Sequence, residues 1–271
     1  MRKFAIVITA MLACNTMTYG MTMEFVSISD AGFTGQMAKY ETTNAQYCEF
    51  LNDAYTSSDI TVGANNIVYG ASGDFAGQIY FDTYPADIDS QITFSDGVFD
   101  VRSREGYDMI NHPVVEVSWY GAAAFADYYG WRLPTEWEWE AVADFDGTYT
   151  YGCGITIDQD KANYDYANPL GLTDEPYTSP VDHYSSYGYG MNDMAGNVWE
   201  WTSSIYDSDG EYVLRGGSYA TVAPNCTVTT RDHNPADATS INVGFRVVPE
   251  PATLLLLGLG GLFLRRRTRE F

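Results

Sequence analysis

The chain has 271 residues and carries 14 Lys and Arg against 36 Asp and Glu, a formal net charge of −22. Between residues 21 and 249 only 8 basic side chains face 34 acidic ones, so a nucleic acid would meet repulsion and no basic patch, and that class of partner is excluded. The length between the two unusual ends fits one domain with a sizeable core, and the surplus of carboxylates suits hard divalent cations such as calcium.

Residues 1–20 open with Arg2 and Lys3, continue as an apolar run and close on small and polar residues, the layout of a secretory signal. Cys14, after Met11-Leu12-Ala13, offers a lipoprotein-type cleavage as the alternative to ordinary cleavage near residue 20. Residues 25–28 read as a strand. Thr43-Asn44-Ala45-Gln46 is a capping pattern that starts a helix over residues 44–54, with Tyr47 and Leu51 on one face and Cys48 as a small buried hydrophobe. Residues 60–110 are rich in Gly, Asp, Ser and aromatics and alternate apolar with polar, which predicts hairpins.

Ser118 caps a second helix, in which Ala122, Phe125, Ala126 and Tyr129 repeat at helical spacing until Gly130. Thr135 and Glu138 form a capping box for a third, with Trp139, Val142 and Ala143 on its apolar face. Beyond it the chain reads as loops and short strands, including residues 212–214 and 244–248. Two or three helices against twisted antiparallel strands give an α+β fold. The six tryptophans are expected mostly in the core. The cysteines are Cys14, Cys48, Cys153 and Cys226; export would leave three, an odd number at spacings that match no zinc pattern.

The sequence punctuation concentrates in Met191-Asn192-Asp193-Met194-Ala195-Gly196-Asn197-Val198-Trp199-Glu200-Trp201, followed by Arg215-Gly216-Gly217-Ser218-Tyr219 and Gly244-Phe245-Arg246. With Asn111-His112-Pro113-Val114-Val115-Glu116-Val117-Ser118-Trp119 and Arg132-Leu133-Pro134-Thr135-Glu136-Trp137-Glu138-Trp139, it resembles the formylglycine-generating, sulfatase-modifying factor family over roughly residues 24–248. The resemblance implies a C-type-lectin-like fold of the sulfatase-modifying factor type, low in regular structure. Family motifs are absent from the 60–110 insert, where individual specificity could reside.

The resemblance also implies sites. Asp193 and Glu200, by side-chain oxygen, and Gly196 and Val198, by backbone carbonyl, stand where the family holds calcium; the alternative is that Glu200 forms a buried salt bridge with Arg132, Arg215 or Arg246. A second family calcium site maps onto Asn163, Tyr164 and Asp174, with a register slip of about one residue at the aspartate. Copper-dependent relatives place cysteines three and eight residues after the Gly-Gly-Ser serine. Here those places are Thr221 and Cys226, with Ser218 retained. Copper(I) seeks two thiolates, so copper is not expected unless Cys153 replaces the missing one. His112, His183 and His233 are scattered and form no iron-ligating motif, and no nucleophile elbow, phosphate loop or dinucleotide fingerprint is present.

At the far end Pro249-Glu250-Pro251 leads into the apolar run of residues 254–264 and then Arg265-Arg266-Arg267-Thr268-Arg269. Eleven helical residues rise only about 16 Å against a bilayer core of about 30 Å. The order resembles a PEP-CTERM sorting tail, implying exosortase processing, transient or permanent membrane association and a cell-envelope or surface location in a Gram-negative-type bacterium. The divisions expected are a signal peptide over 1–20, a domain over 21–248 and the sorting tail over 249–271. The missing cysteine favours a non-catalytic, calcium-stiffened binding module for a protein or glycan over a formylglycine-making oxidase acting on exported sulfatases.

Overall fold

The computed structural model describes residues 22–250; the N-terminal residues in which a secretory signal is expected, with Cys14, and the apolar run and arginine cluster of the tail, lie outside the described residues. The chain opens with a hairpin of β1 (Phe25–Ser29) and β2 (Thr34–Ala38). Helix α1 (Asn44–Ser57) starts at a reciprocal capping box, in which the Thr43 hydroxyl accepts from the Gln46 amide and the Gln46 side chain accepts from the Thr43 amide. It runs a turn beyond the expected 44–54 and stops where Ser58 turns left-handed, its N–H closing on the Ala54 and Tyr55 carbonyls. Tyr47, Cys48, Phe50, Leu51 and Ala54 face inward.

The 60–110 insert forms hairpins, as its alternation predicts. β3 (Ile60–Val62), β4 (Ile67–Gly70) and β5 (Ile79–Asp82) make a three-stranded antiparallel sheet. β6 (Ile92–Ser95) with β7 (Val98–Val101), and β8 (Ser103–Arg104) with β9 (Tyr107–Asp108), are tight hairpins. Their connections, Asp96-Gly97 and Glu105-Gly106, have positive φ at both residues, the geometry whose twist matches that of paired strands.

Helix α2 (Trp119–Tyr128) is capped by Ser118, and α3 (Glu136–Ala143) by the Thr135–Glu138 box. Between them lies β10 (Trp131–Arg132). Residues 144–198 hold no regular strand or helix. A four-stranded sheet follows, built from β11 (Trp199–Ile205), β12 (Tyr212–Arg215), β13 (Asp232–Asn234) and β14 (Val243–Phe245) in the order β13-β12-β11-β14, with β11 and β14 parallel. The expected strand over 244–248 is divided. β14 ends before Arg246, whose guanidinium turns inward to the carbonyls of Ala38, Lys39 and Asn192. A separate β15 (Val248–Pro249) then pairs with β10.

The main core joins α1, α2 and the four-stranded sheet around Tyr47, Phe50, Phe81, Phe125, Trp201 and Phe245. Phe125 packs edge-on to Phe245 at 5.3 Å between ring centres; truncating such a buried ring costs about 3–5 kcal/mol. A second core gathers Met37, Trp139, Val142, Met194 and Val248. Trp139, Trp199 and Trp201 are buried as expected, but Trp137 is 61% exposed because it stands on the face of α3 opposite Trp139 and Val142. Cys48, Cys153 and Cys226 are all buried and unbridged.

Candidate functional site

The segment 191–200 is held by a buried polar hub centred on Asn197. Its side-chain N–H groups donate to Glu41 Oε2 (2.6 Å) and the Ser179 carbonyl (3.3 Å). Its Oδ1 accepts from the Ser179 amide and hydroxyl and from Asn163. Glu41 also accepts from the Val198 amide at 3.2 Å. Asp193, Gly196 and Asn197 all have positive φ, and a Cβ on Gly196 would lie 2.3 Å from the Asn163 carbonyl oxygen. Glycine is therefore required there by both conformation and space.

Glu200 takes the salt-bridge role. Arg246 donates from Nε to Oε2 and from Nη2 to Oε1, both at 2.7 Å, and Trp139 Nε1 donates to Oε2 at 2.9 Å. Both ions are fully buried. Arg215 instead pairs with Glu140, and Arg132 with Glu138. Asp193 differs: it is 8% exposed, and neither carboxylate oxygen has a hydrogen-bond partner. Burial, opposed by Arg246 and reinforced by Glu200 and Asp182, pushes its carboxyl up to about 8. Burial, then the charges of Asp193 and Glu200, likewise raise Glu41 well above the usual carboxylate range. Three carboxylates thus share one internal guanidinium.

Orphaned, buried carboxylate oxygens suit a hard cation, so Asp193 fits calcium, whereas Glu200 already satisfies Arg246 and Trp139. Among the described residues no group of three or more His, Cys, Asp or Glu has the arrangement to hold a metal ion. An ion here would draw on Asp193 together with main-chain oxygens such as those of Gly196 and Val198.

The residues of the second expected calcium site are dispersed in function. Asn163 donates to the Tyr177 carbonyl and to Asn197, leaving its own buried Oδ1 without a partner. The Tyr164 carbonyl accepts from the Ala167 amide. The Asp174 carboxylate accepts from the neighbouring Thr173 hydroxyl at 3.4 Å, and its carbonyl belongs to a different arrangement. Arg104, from β8 of the insert, donates to the carbonyls of Asp174 (2.6 Å), Glu175 (3.0 Å) and Pro176 (2.8 Å). A guanidinium therefore gathers this loop's oxygens.

Around Ser218 the replacement of sulfur by oxygen is built into a hydrogen-bond network. Thr221 Oγ1 accepts from the Ser218 amide at 3.0 Å and shares a hydrogen bond with the Ser218 hydroxyl at 2.8 Å. Asn242 Nδ2 donates to the same hydroxyl at 3.2 Å. Cys226 is fully buried, directly under Gly217, where a Cβ would come within 2.5 Å of its Sγ. Burial, then the nearby Cys153 and Asp165, push the Cys226 thiol up to about 12. Cys153, turned toward the Thr156 carbonyl, is pushed up to about 11 by burial. With a threonine hydroxyl at one of the two places, the set lacks the pair of sulfurs that copper(I) prefers.

Beside Ser218 stands a ring of phenols, Tyr166, Tyr177 and Tyr219, with ring centres 6.0–6.5 Å apart. Tyr219 donates to Glu175, and Tyr166 is 54% exposed. A cavity of about 600 Å³ lies elsewhere, between α1, α2, β10 and the insert, with Phe75, Trp119, Tyr128 and Trp131 in its walls and Asp59, Asp74, Asp127 and Glu250 around them. Glu41, Arg104 and Asn242 carry this architecture, yet sequence reasoning gave none of them a role.

Residues 26–251 match the sulfatase-modifying factor enzyme 1-like domain, and residues 247–269 match the PEP-CTERM protein-sorting motif. The chain belongs to the sulfatase-modifying factor family. It is 31% identical over 189 residues to a formylglycine-generating enzyme of Mycobacterium tuberculosis, across 56% of this chain and 62% of that protein. It is 39% identical over 148 residues to an inactive C-alpha-formylglycine-generating enzyme 2 of Mus musculus, across 49% of this chain and 48% of that one. A serine/threonine-protein kinase pkn1 of Chlamydia caviae aligns at 37% identity with 50% of this chain but 24% of its own length. The chain thus spans between 24% and 62% of the length of these relatives. In fold it is similar to CarF (TM-score 0.55, 20% identity, 80% of this chain and 86% of that one) and to PvdO from Pseudomonas aeruginosa (0.52, 18%, 85% and 92%). The fold is the C-type-lectin-like α+β type that the motifs imply. The sorting tail implies export and delivery to the cell envelope, with exosortase-type processing.

Proposed function

We propose that this exported domain is a non-catalytic binding module, with calcium held at Asp193 and the Gly196 and Val198 carbonyls stiffening its central loops. The observation that carries the reading is the Ser218–Thr221 hydrogen bond at 2.8 Å. Where copper-dependent relatives of this family are implied to place a thiolate, this chain has a hydroxyl already bonded within the protein, and the remaining thiol of Cys226 is buried. Exposed Tyr166 and half-buried Tyr177, backed by buried Tyr219, offer aromatic surface for a protein or glycan partner; the aromatic walls of the 600 Å³ cavity, partly supplied by the insert, offer a second such surface.

The competing reading, an oxidase that converts a substrate cysteine to formylglycine, rests on the names of the relatives and on the retention of Ser218 and Cys226. One experiment separates the two. The purified chain is incubated with copper(I), oxygen and a Cys-Xaa-Pro-Xaa-Arg peptide, and the peptide mass is followed. An unchanged peptide supports the binding module, and conversion of the cysteine to formylglycine overturns it.

A further inference from the structure

The domain match ends at residue 251 and the sorting-motif match begins at residue 247, so five residues belong to both. Of these, residues 247–250 lie within the described fold. Val247 and Val248 are fully buried, and the Val247 carbonyl accepts from the Ala38 amide at 2.8 Å. Val248 packs in the second core with Met37 and Trp139. In the β10–β15 pair Val248 lies opposite Arg132 and Pro249 opposite Trp131. Glu250, the acidic centre of Pro-Glu-Pro, is attracted to the Arg132 guanidinium, which Glu138 anchors at 2.7 Å. Immediately upstream, Arg246 is locked to Glu200.

We propose that the folded domain withholds the start of its own sorting motif, so that processing of the tail waits on the release of β15 from β10. An enzyme that handles this tail must take the chain around Pro249-Glu250-Pro251 as an extended segment, and the same backbone cannot pair with β10 and lie in an enzyme cleft at once. Val248 is the limiting residue, because it leaves an apolar core as well as a strand pair. Release is a local opening of two residues at the end of the domain and leaves the rest of the fold standing. Processing is thereby tied to the conformational state of the domain that the tail delivers.

The test is pulse–chase processing of the full chain in a bacterium that carries an exosortase-type enzyme. A six-residue Gly/Ser spacer between Val248 and Pro249 frees Pro249 from β10 and Glu250 from Arg132 while keeping Val248 in the core; the same spacer after Gly210, in the turn that leads into β12, is the control. The tail spacer is expected to shorten the processing half-time at least threefold, and the loop spacer to leave it unchanged. A tail-spacer half-time equal to or longer than that of the unmodified chain overturns the proposal, as does equal acceleration by the loop spacer. Hydrogen exchange on the unmodified full chain in detergent is a second measurement that needs no variant. The Val248 amide is expected to exchange at least 100-fold more slowly than an unstructured peptide; exchange at the unstructured rate also overturns the proposal.

Discussion

Arg246 and Glu200 meet through two parallel hydrogen bonds of 2.7 Å with neither side chain exposed to solvent. The pair closes the junction of β11 and β14 on the hub around Asn197, and Arg246 also tethers the carbonyls of Ala38, Lys39 and Asn192. Removing one partner of a buried pair strands the other charge. Arg246→Ala leaves Glu41, Asp193 and Glu200 without their guanidinium and is expected to cost about 3–5 kcal/mol, read as a lowered urea midpoint. A loss below about 1 kcal/mol would show that water or another cation replaces Arg246.

The orphaned oxygens of Asp193 lead to a metal-removal experiment. A cation bound only by the folded chain adds about 2.7 kcal/mol at a concentration a hundredfold above its Kd. Chelation is therefore expected to lower the melting temperature by roughly 5–10 °C. Asp193→Asn should remove this calcium response, and a transition indifferent to complete metal removal would count against the site.

Glu116 gives a pH dependence away from that site. It is 4% exposed, has a positive φ, and faces Asp82, Asp87 and Asp89, with Thr239 as its hydrogen-bonding neighbour. Burial, followed by the charge of Asp87, raises its carboxyl from 4.5 to about 8. A raised carboxyl contributes stability that is fully present below the unfolded value and lost as pH rises through the folded one. Stability should fall between about pH 5 and pH 8 by up to about 1.4 kcal/mol per pH unit from this group. Glu116→Gln should flatten that slope in urea titrations; an equal slope in the variant would assign it to other groups.

Gly217 and Cys226 are sterically coupled. Gly217 has φ +79°, and its added Cβ would sit 2.5 Å from Cys226 Sγ. Gly217→Ala is expected to destabilise by at least about 2 kcal/mol from backbone strain and overlap together. Replacing Cys226 by Ala in the same chain removes the sulfur and should recover about 1 kcal/mol of that loss in a double-mutant cycle. Strict additivity of the two changes would show that the overlap is relieved by backbone movement.

Thr221→Cys restores sulfur at the position three residues after Ser218. It gives up the hydroxyl's bonds to the Ser218 amide and side chain, at about 1–2 kcal/mol of stability. The variant is expected to bind one copper(I) per chain in competition with a chelator, under conditions in which the unmodified chain takes up none. Equal uptake by both chains would mean that Cys226 recruits its second sulfur elsewhere.

Elements that depend on near neighbours in sequence were legible. The capping boxes at Thr43 and Thr135 and the cap at Ser118 each act over three residues, and the helices begin where those residues place them. The insert's hairpins follow from its alternation and from turn residues able to adopt positive φ. What was hidden is the long-range polar wiring. Glu41 reaches Asn197 across 156 positions, and Arg104 reaches Pro176 across 72; neither distance leaves a local pattern. The choice of Arg246 over Arg132 and Arg215 as the partner of Glu200 likewise depended on how β14 packs beside β11. Within residues 193–200 the division of labour, with Glu200 binding a guanidinium and Asp193 left unpartnered, emerged only from three-dimensional packing.

Cys48, Cys153 and Cys226 are unbridged and buried in the folded domain. Each thiol is buried, and burial pushes each well above neutrality, so the folded domain presents no thiolate to oxidants or disulfide exchangers. Among the described residues no covalent cross-link holds the fold together, so a reducing agent has no bridge there to break.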